Sequence, residues 1–155
     1  MKKLIEQILK FGVVGVICFA IDFLITLVVS ALLRNTGMDA TTAALIGAFF
    51  GFTISVIVNY LLSMKFVFTR DENMSRKREF IIFVILSLVG LGLNELIIKG
   101  GMELYAGMKT TYPGLSEADG IATALAKVIA TGIVMVYNFV TRKIFLEKKP
   151  DPSEQ

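Results

Sequence analysis

Four long apolar stretches separated by polar segments organise the chain. They run from Phe11 to Leu33, from about Ala43 to Met64, from about Phe80 to Ile98, and from about Ile121 to Val140. A helix needs about 20 predominantly apolar residues to cross a hydrocarbon core, and these stretches reach or approach that length. Backbone amides in lipid must be bonded within the segment, so each stretch predicts a helix. No stretch shows the short alternating strands of a membrane barrel. Leu4, Ile5, Ile8 and Leu9 form an apolar stripe ahead of the first stretch, which predicts a short interfacial lead-in helix. The run from Phe11 is too long for a signal-peptide core, so it reads as a retained first helix.

The polar connections differ in length. The first, about Arg34 to Thr42, is short, and Asp39 is placed to cap the second helix. The third connection, about Lys99 to Gly120, reads as a long loop with Gly100, Gly101, Gly107, Pro113 and Gly114. Ser116 and Asp119 have capping-box spacing before the fourth helix. Residues 1–147 read as one transmembrane domain. The polar tail, residues 148–155, reads as a disordered cytoplasmic extension.

Composition supports this picture. The chain has 155 residues, of which 55% are hydrophobic, and a mean hydropathy of +0.71. A soluble domain of that size has too little interior to hide so much apolar surface. The net charge of +3 does not indicate nucleic acid, because the basic residues sit at the ends of apolar stretches. Most of the 16 lysines and arginines lie before the first stretch, between the second and third, and after the fourth. That bias predicts both termini and the middle connection on the cytoplasmic side. Cys18 is the single cysteine and there is no histidine. These counts exclude an internal disulfide, a Cys/His metal site and histidine acid–base chemistry. Cys18 itself reads as a small buried hydrophobe. No cofactor is expected, and an enzyme is the weakest reading, because no nucleophile–base pair is visible.

The two halves of the chain are alike. FGVVGVICFAIDFLI, from Phe11, aligns without gaps to FVILSLVGLGLNELI, from Phe83, and places Asp22 on Asn94. NYLLSMKFVF, from Asn59, resembles NFVTRKIFL, from Asn138, with one gap. The fold expected is therefore all-α, with four transmembrane helices arranged as two parallel two-helix repeats.

Ionisable groups within a span usually face protein or water, because insertion costs about 2.5 to 3.5 kcal/mol each. Asp22, Glu95 and Lys127 are such groups. At ~1.5 Å per residue they lie roughly 18, 24 and 22 Å from the cytoplasmic ends of their helices. Those similar heights suggest one polar cluster, with a Glu95–Lys127 structural pair as the alternative. Helical spacing groups Gly12, Gly15, Phe19, Asp22 and Thr26 on the first helix and Gly47, Gly51, Ser55 and Asn59 on the second. It also groups Phe83, Ser87, Gly90 and Asn94 on the third, and Lys127, Thr131, Val134 and Asn138 on the fourth. At the opposite ends, Asn59 and Asn138 precede Lys65, Arg142 and Lys143. Amides and cations at that level suit a phosphate head group, or serve as ordinary positive-inside anchors.

On these stretches and on KVIATGIVMVYNFVTRKIF, which closes the chain, the sequence resembles the GtrA-like family of bacterial four-helix membrane proteins. The resemblance covers roughly residues 8–147. It departs from the family where Met64, Lys65 and Phe66 stand in a motif that often carries an arginine and a tryptophan. The resemblance implies translocation of a polyprenyl-phosphate-linked monosaccharide across the inner membrane, between membrane glycosyltransferases on its two sides. Asn59, Lys65, Asn138, Arg142 and Lys143 would then capture the phosphate, and Asp22, Asn94, Glu95 and Lys127 would line the route of the sugar. Two other readings stay open. One is a proton-coupled exporter similar to the small multidrug resistance family. The other is a non-transporting partner of a glycosyltransferase. Four helices of this length enclose little space, which leaves room for a homodimer.

Overall fold

The structure is a computed structural model and describes residues 2–112 and 119–148. Its helices are α1 Lys2–Asn35, α2 Ala40–Phe66, α3 Arg76–Thr111 and α4 Asp119–Leu146. Among the described residues there is no strand, only an isolated bridge between Arg70 and Glu147. All four helices are long and apolar enough to cross a membrane. Their flanks carry large apolar side chains that stay exposed: Phe19 is 71% exposed, Leu45 68% and Val128 69%. Such surface is stable against acyl chains and not against water.

The helix boundaries follow local chemistry. α1 starts at Lys2, so the expected lead-in stripe is continuous with the first span. It ends in a tight turn, where the Gly37 N–H donates to the Arg34 carbonyl at 3.1 Å. Gly37 sits at φ 87°, a left-handed position that glycine adopts without a Cβ penalty. Asp39 then caps α2, its carboxylate accepting from the Thr42 N–H at 2.9 Å. α2 closes with the Val67 and Phe68 N–H groups on the Ser63 carbonyl, at 3.0 and 2.9 Å. Ser75 opens α3 by accepting from the Arg78 N–H at 3.3 Å.

The connection read as a loop from Lys99 is helical as far as Thr111. Gly100, Gly101 and Gly107 each weaken a helix by only about 1 kcal/mol, and no proline intervenes before Pro113. Contacts one helical turn apart support the extension: Lys99 Nζ lies 3.9 Å from Glu103 Oε1, and Lys109 Nζ lies 5.6 Å above the Tyr105 ring. Ser116, expected to form a capping box with Asp119, and the tail beyond Lys148 lie outside the described residues.

The chain forms two compact units, each built on one helical pair. The first comprises the residues up to Phe80 together with those from Leu146 onward, and the second is Ile81–Phe145.

In the first unit α1 and α2 run antiparallel along small residues. Ala43, Gly47, Gly51 and Ser55 of α2 are buried. A Cβ on Gly47 would stand 2.7 Å from the Thr26 carbonyl, and one on Gly51 would stand 2.7 Å from the Asp22 carbonyl. The opposing face of α1 is Phe11, Val14, Cys18, Asp22, Thr26 and Ser30. Phe11, Val14 and Cys18 are buried, and Ser30 Oγ donates to the Ala43 carbonyl at 3.2 Å. This corrects the face expected for α1, because Phe19 and Gly15 point away from α2. Phe19 stacks on Phe23 instead, with ring centroids 6.4 Å apart.

In the second unit α4 runs back along α3. Met102 faces Thr123 at 3.9 Å from sulfur to hydroxyl. A Cβ on Gly90 would stand 3.0 Å from Asn138 Nδ2. Arg142 reaches Ser87 at 2.9 Å.

Candidate site at the end of the second helix

The end of α2, the loop to α3 and the first turn of α3 enclose a cavity of about 400 Å³. Tyr60, Leu61, Met64, Lys65, Arg70 and Arg76 line it. Three elements each supply one cation. Lys65 stands in the last turn of α2, Arg70 in the loop, and Arg76 at the first position of α3. Lys65 is exposed, with its ammonium 5.1 Å from the Phe66 ring centroid.

A buried carboxylate organises one wall. Glu79 is 1% exposed. Its Oε1 accepts from the Tyr60 hydroxyl at 2.6 Å, and its Oε2 accepts from Arg70 Nε at 2.7 Å. Arg70 Nη2 donates to the Met74 carbonyl at 3.1 Å. The hydrogen bond to Glu79 holds the Arg70 guanidinium above its ordinary pKa, so its charge is permanent. The Tyr60 ring packs edge-on against Phe80, with centroids 5.1 Å apart. A buried ionised carboxylate needs such partners, because an unpaired charge there would be strongly destabilising.

The loop is also tied from outside. The Lys148 N–H donates to the Thr69 carbonyl at 2.9 Å. Gln7 Nε2 donates to the Val67 carbonyl at 2.9 Å and to Glu147 Oε1 at 2.6 Å. The Phe11 and Phe68 rings lie 5.9 Å apart below them. The start of α1 and Glu147 and Lys148, which follow α4, thus brace the loop that carries Arg70.

The residues singled out from sequence fall in several settings. Lys65 lines the cavity. Asn59 is half-buried one helical turn from Ser63, whose hydroxyl donates to Asn59 Oδ1 at 2.9 Å. Asp22 is half-buried against Gly51, with Thr26 Oγ1 3.5 Å from its carboxylate. In the second unit Asn94 is half-buried and lies 3.5 Å from its neighbour Glu95. Glu95 and Lys127 are both exposed, and no ion pair joins them among the described residues. Asn138 packs on Gly90. Lys143 is half-buried. Arg142 is 2% exposed, and its guanidinium lies 3.8 Å from the Phe83 ring centroid.

Sequence reasoning missed Tyr60, Arg70, Arg76 and Glu79 as members of a site. The two arginines stood out only as part of the charge bias that sets orientation. Their clustering with Tyr60 depends on how the chain turns between Val67 and Ser75, a segment with no periodic signal.

Four apolar helices with a basic cleft at one helix end define a class: a multi-pass membrane protein. Within that class the chain belongs to the GtrA/DPMS transmembrane-domain family, which it matches over residues 10–146. No curated protein and no solved structure matches it.

Proposed function

We propose that this protein translocates a polyprenyl-phosphate-linked monosaccharide across the cytoplasmic membrane for cell-surface polysaccharide synthesis or glycosylation. The cavity lined by Lys65, Arg70 and Arg76 carries the reading. Three cations from three elements suit a phosphate ester, whose oxygens accept charge-assisted hydrogen bonds. A cleft at a helix end leaves a prenyl tail free to stay among the acyl chains. The sugar must be given replacement hydrogen bonds while it crosses, because stripping water from polar groups is costly. Asp22, Asn94, Glu95 and Lys127 lie within the spans and can offer them.

On this reading the chain performs no covalent step. Its partners are membrane lipids and the glycosyltransferases that load and unload the carrier. Nucleic acid is not among them. Both termini and the cavity face the cytoplasm, consistent with the distribution of lysine and arginine.

The test is a reconstituted flipping assay with a fluorescent polyprenyl-phosphate glucose. Lys65→Ala and Arg76→Ala should each slow translocation by roughly tenfold or more, the loss expected for one charge-assisted hydrogen bond. Asp22→Ala and Asn138→Ala should slow it as well. Variants that insert normally and translocate at the full rate would sink the assignment.

A further inference from the structure

The cavity's three cations are not equivalent. Arg70 is ion-paired with Glu79 at 2.7 Å, while neither Lys65 nor Arg76 forms an ion pair among the described residues. Glu79 is not part of the lining. It stands behind Arg70, almost fully buried, with both carboxylate oxygens engaged by side chains that do line the cavity, Tyr60 and Arg70.

We propose that Glu79 is the internal counterion of this phosphate site: it orients Arg70 and lowers the cavity's affinity, so that a bound head group can leave. The inference rests on reading the cavity as a phosphate site. Three uncompensated cations would hold a phosphate tightly and slow its release, because tighter binding appears mostly as slower dissociation. A carboxylate behind one of them subtracts a charge and fixes the guanidinium fork without occupying the cavity. A bound phosphate ester then competes with Glu79 for the Arg70 N–H groups.

A purely structural ion pair and a counterion differ in sign. If Glu79 only ties α3 to the end of α2, removing its charge weakens binding or leaves it unchanged. If it is the counterion, removing the charge at constant shape strengthens binding.

The experiment titrates full-length protein in dodecyl maltoside with dodecyl phosphate, alongside inorganic phosphate. Glu79→Gln should bind dodecyl phosphate roughly tenfold more tightly at low salt, and the gain should shrink as salt rises. Glu79→Asp, which keeps the charge, should show no such gain. A folded Glu79→Gln protein that binds no more tightly than wild type overturns the proposal. The wild-type protein provides an independent measurement. Its Arg70 Nε–H resonance, assigned by its loss in Arg70→Lys, should shift on saturation with dodecyl phosphate, and a static resonance overturns competition. Preference for dodecyl phosphate over inorganic phosphate supports a lipid-borne ligand, and equal binding of the two overturns that part. Should Lys65→Ala/Arg76→Ala bind as well as wild type, the phosphate site itself fails. Should that variant bind weakly while Glu79→Gln shows no gain, only the counterion fails.

Discussion

Gly51 shows how a single residue sets the first unit. A Cβ there would overlap Asp22 Oδ1 and Thr26 Oγ1 and stand 2.7 Å from the Asp22 carbonyl. The side-chain atoms can move aside, but the carbonyl is helix backbone. Gly51→Ala should therefore destabilise the α1–α2 pair by about 1–3 kcal/mol, the usual range for overpacking. Gly92 is the control, since nothing lies within 4 Å of its would-be Cβ. Gly92→Ala should leave stability unchanged or raise it by up to about 1 kcal/mol through helix propensity. Thermal unfolding in detergent separates the two. Equal effects would mean that glycine serves the same purpose at both sites. The same close approach buries one side of Asp22 against a neighbouring helix, which is how a carboxylate comes to be tolerated within an apolar span.

At the scale of an element, α2 is the best-defined helix. It has a carboxylate cap at its start and a doubly used carbonyl, that of Ser63, at its end. Hydrogen bonds from Thr42 hold the Asp39 carboxyl below its ordinary pKa. A depressed pKa means that the folded state favours the ionised form. The cap's contribution is therefore complete above the usual carboxylate range and is lost as pH falls through the lowered folded value. Hydrogen exchange at the Thr42 amide should accelerate on acidification relative to amides in the middle of α2. Asp39→Asn should remove this pH dependence while keeping an acceptor, and Asp39→Ala should open the first turn at every pH. An acid response that persists in Asp39→Asn would place its origin elsewhere. α3 makes the complementary point. Its apolar stretch ends near Ile98, yet the helix continues to Thr111. Apolar length measures what lipid can cover, whereas a helix can run on until a breaker such as proline stops it.

The whole molecule should sit in the membrane with both termini on the cytoplasmic side. The charge bias places the α1–α2 turn outside and the loop between α2 and α3 inside. In a Cys18→Ser background, Thr36→Cys should react with a membrane-impermeant maleimide in intact cells. Glu72→Cys should react only after permeabilisation. Both positions are exposed, so reactivity reports the side of the membrane. The reverse pattern would place the Lys65–Arg70–Arg76 cavity on the outer face and remove the proposed loading step. Each compact unit is built on one helical pair, and in both pairs an asparagine stands one helical turn before a buried polar residue. Asn59 precedes Ser63, and Asn138 precedes Arg142. With Asn59 set on Asn138, helical register puts Arg142 opposite Ser63, because a continuous helix has no room for a gap.

The order of apolar and polar residues by itself determined that this chain has four membrane-crossing helices, which small residues bring α2 close to its neighbour, and that Asp39 caps α2. Those properties depend on spacings of a few residues, and helical periodicity converts such spacings directly into faces and ends. Family membership was legible for the same reason, since its motifs lie within single helices or run only two residues past a helix end. The cavity was not legible. Tyr60, Arg70 and Glu79 meet only because an irregular loop folds back and is braced by Gln7 and Lys148. The true face of α1 was likewise decided by packing, since glycine spacing and the Phe11–Val14–Cys18 spacing are equally helical and only the surface of α2 selects between them. Tertiary structure also decided that Arg142 lies over Phe83 and that Glu95 and Lys127 form no ion pair among the described residues. A charge's partner depends on distances in space, and residues many positions apart in sequence acquire those distances only when the helices pack.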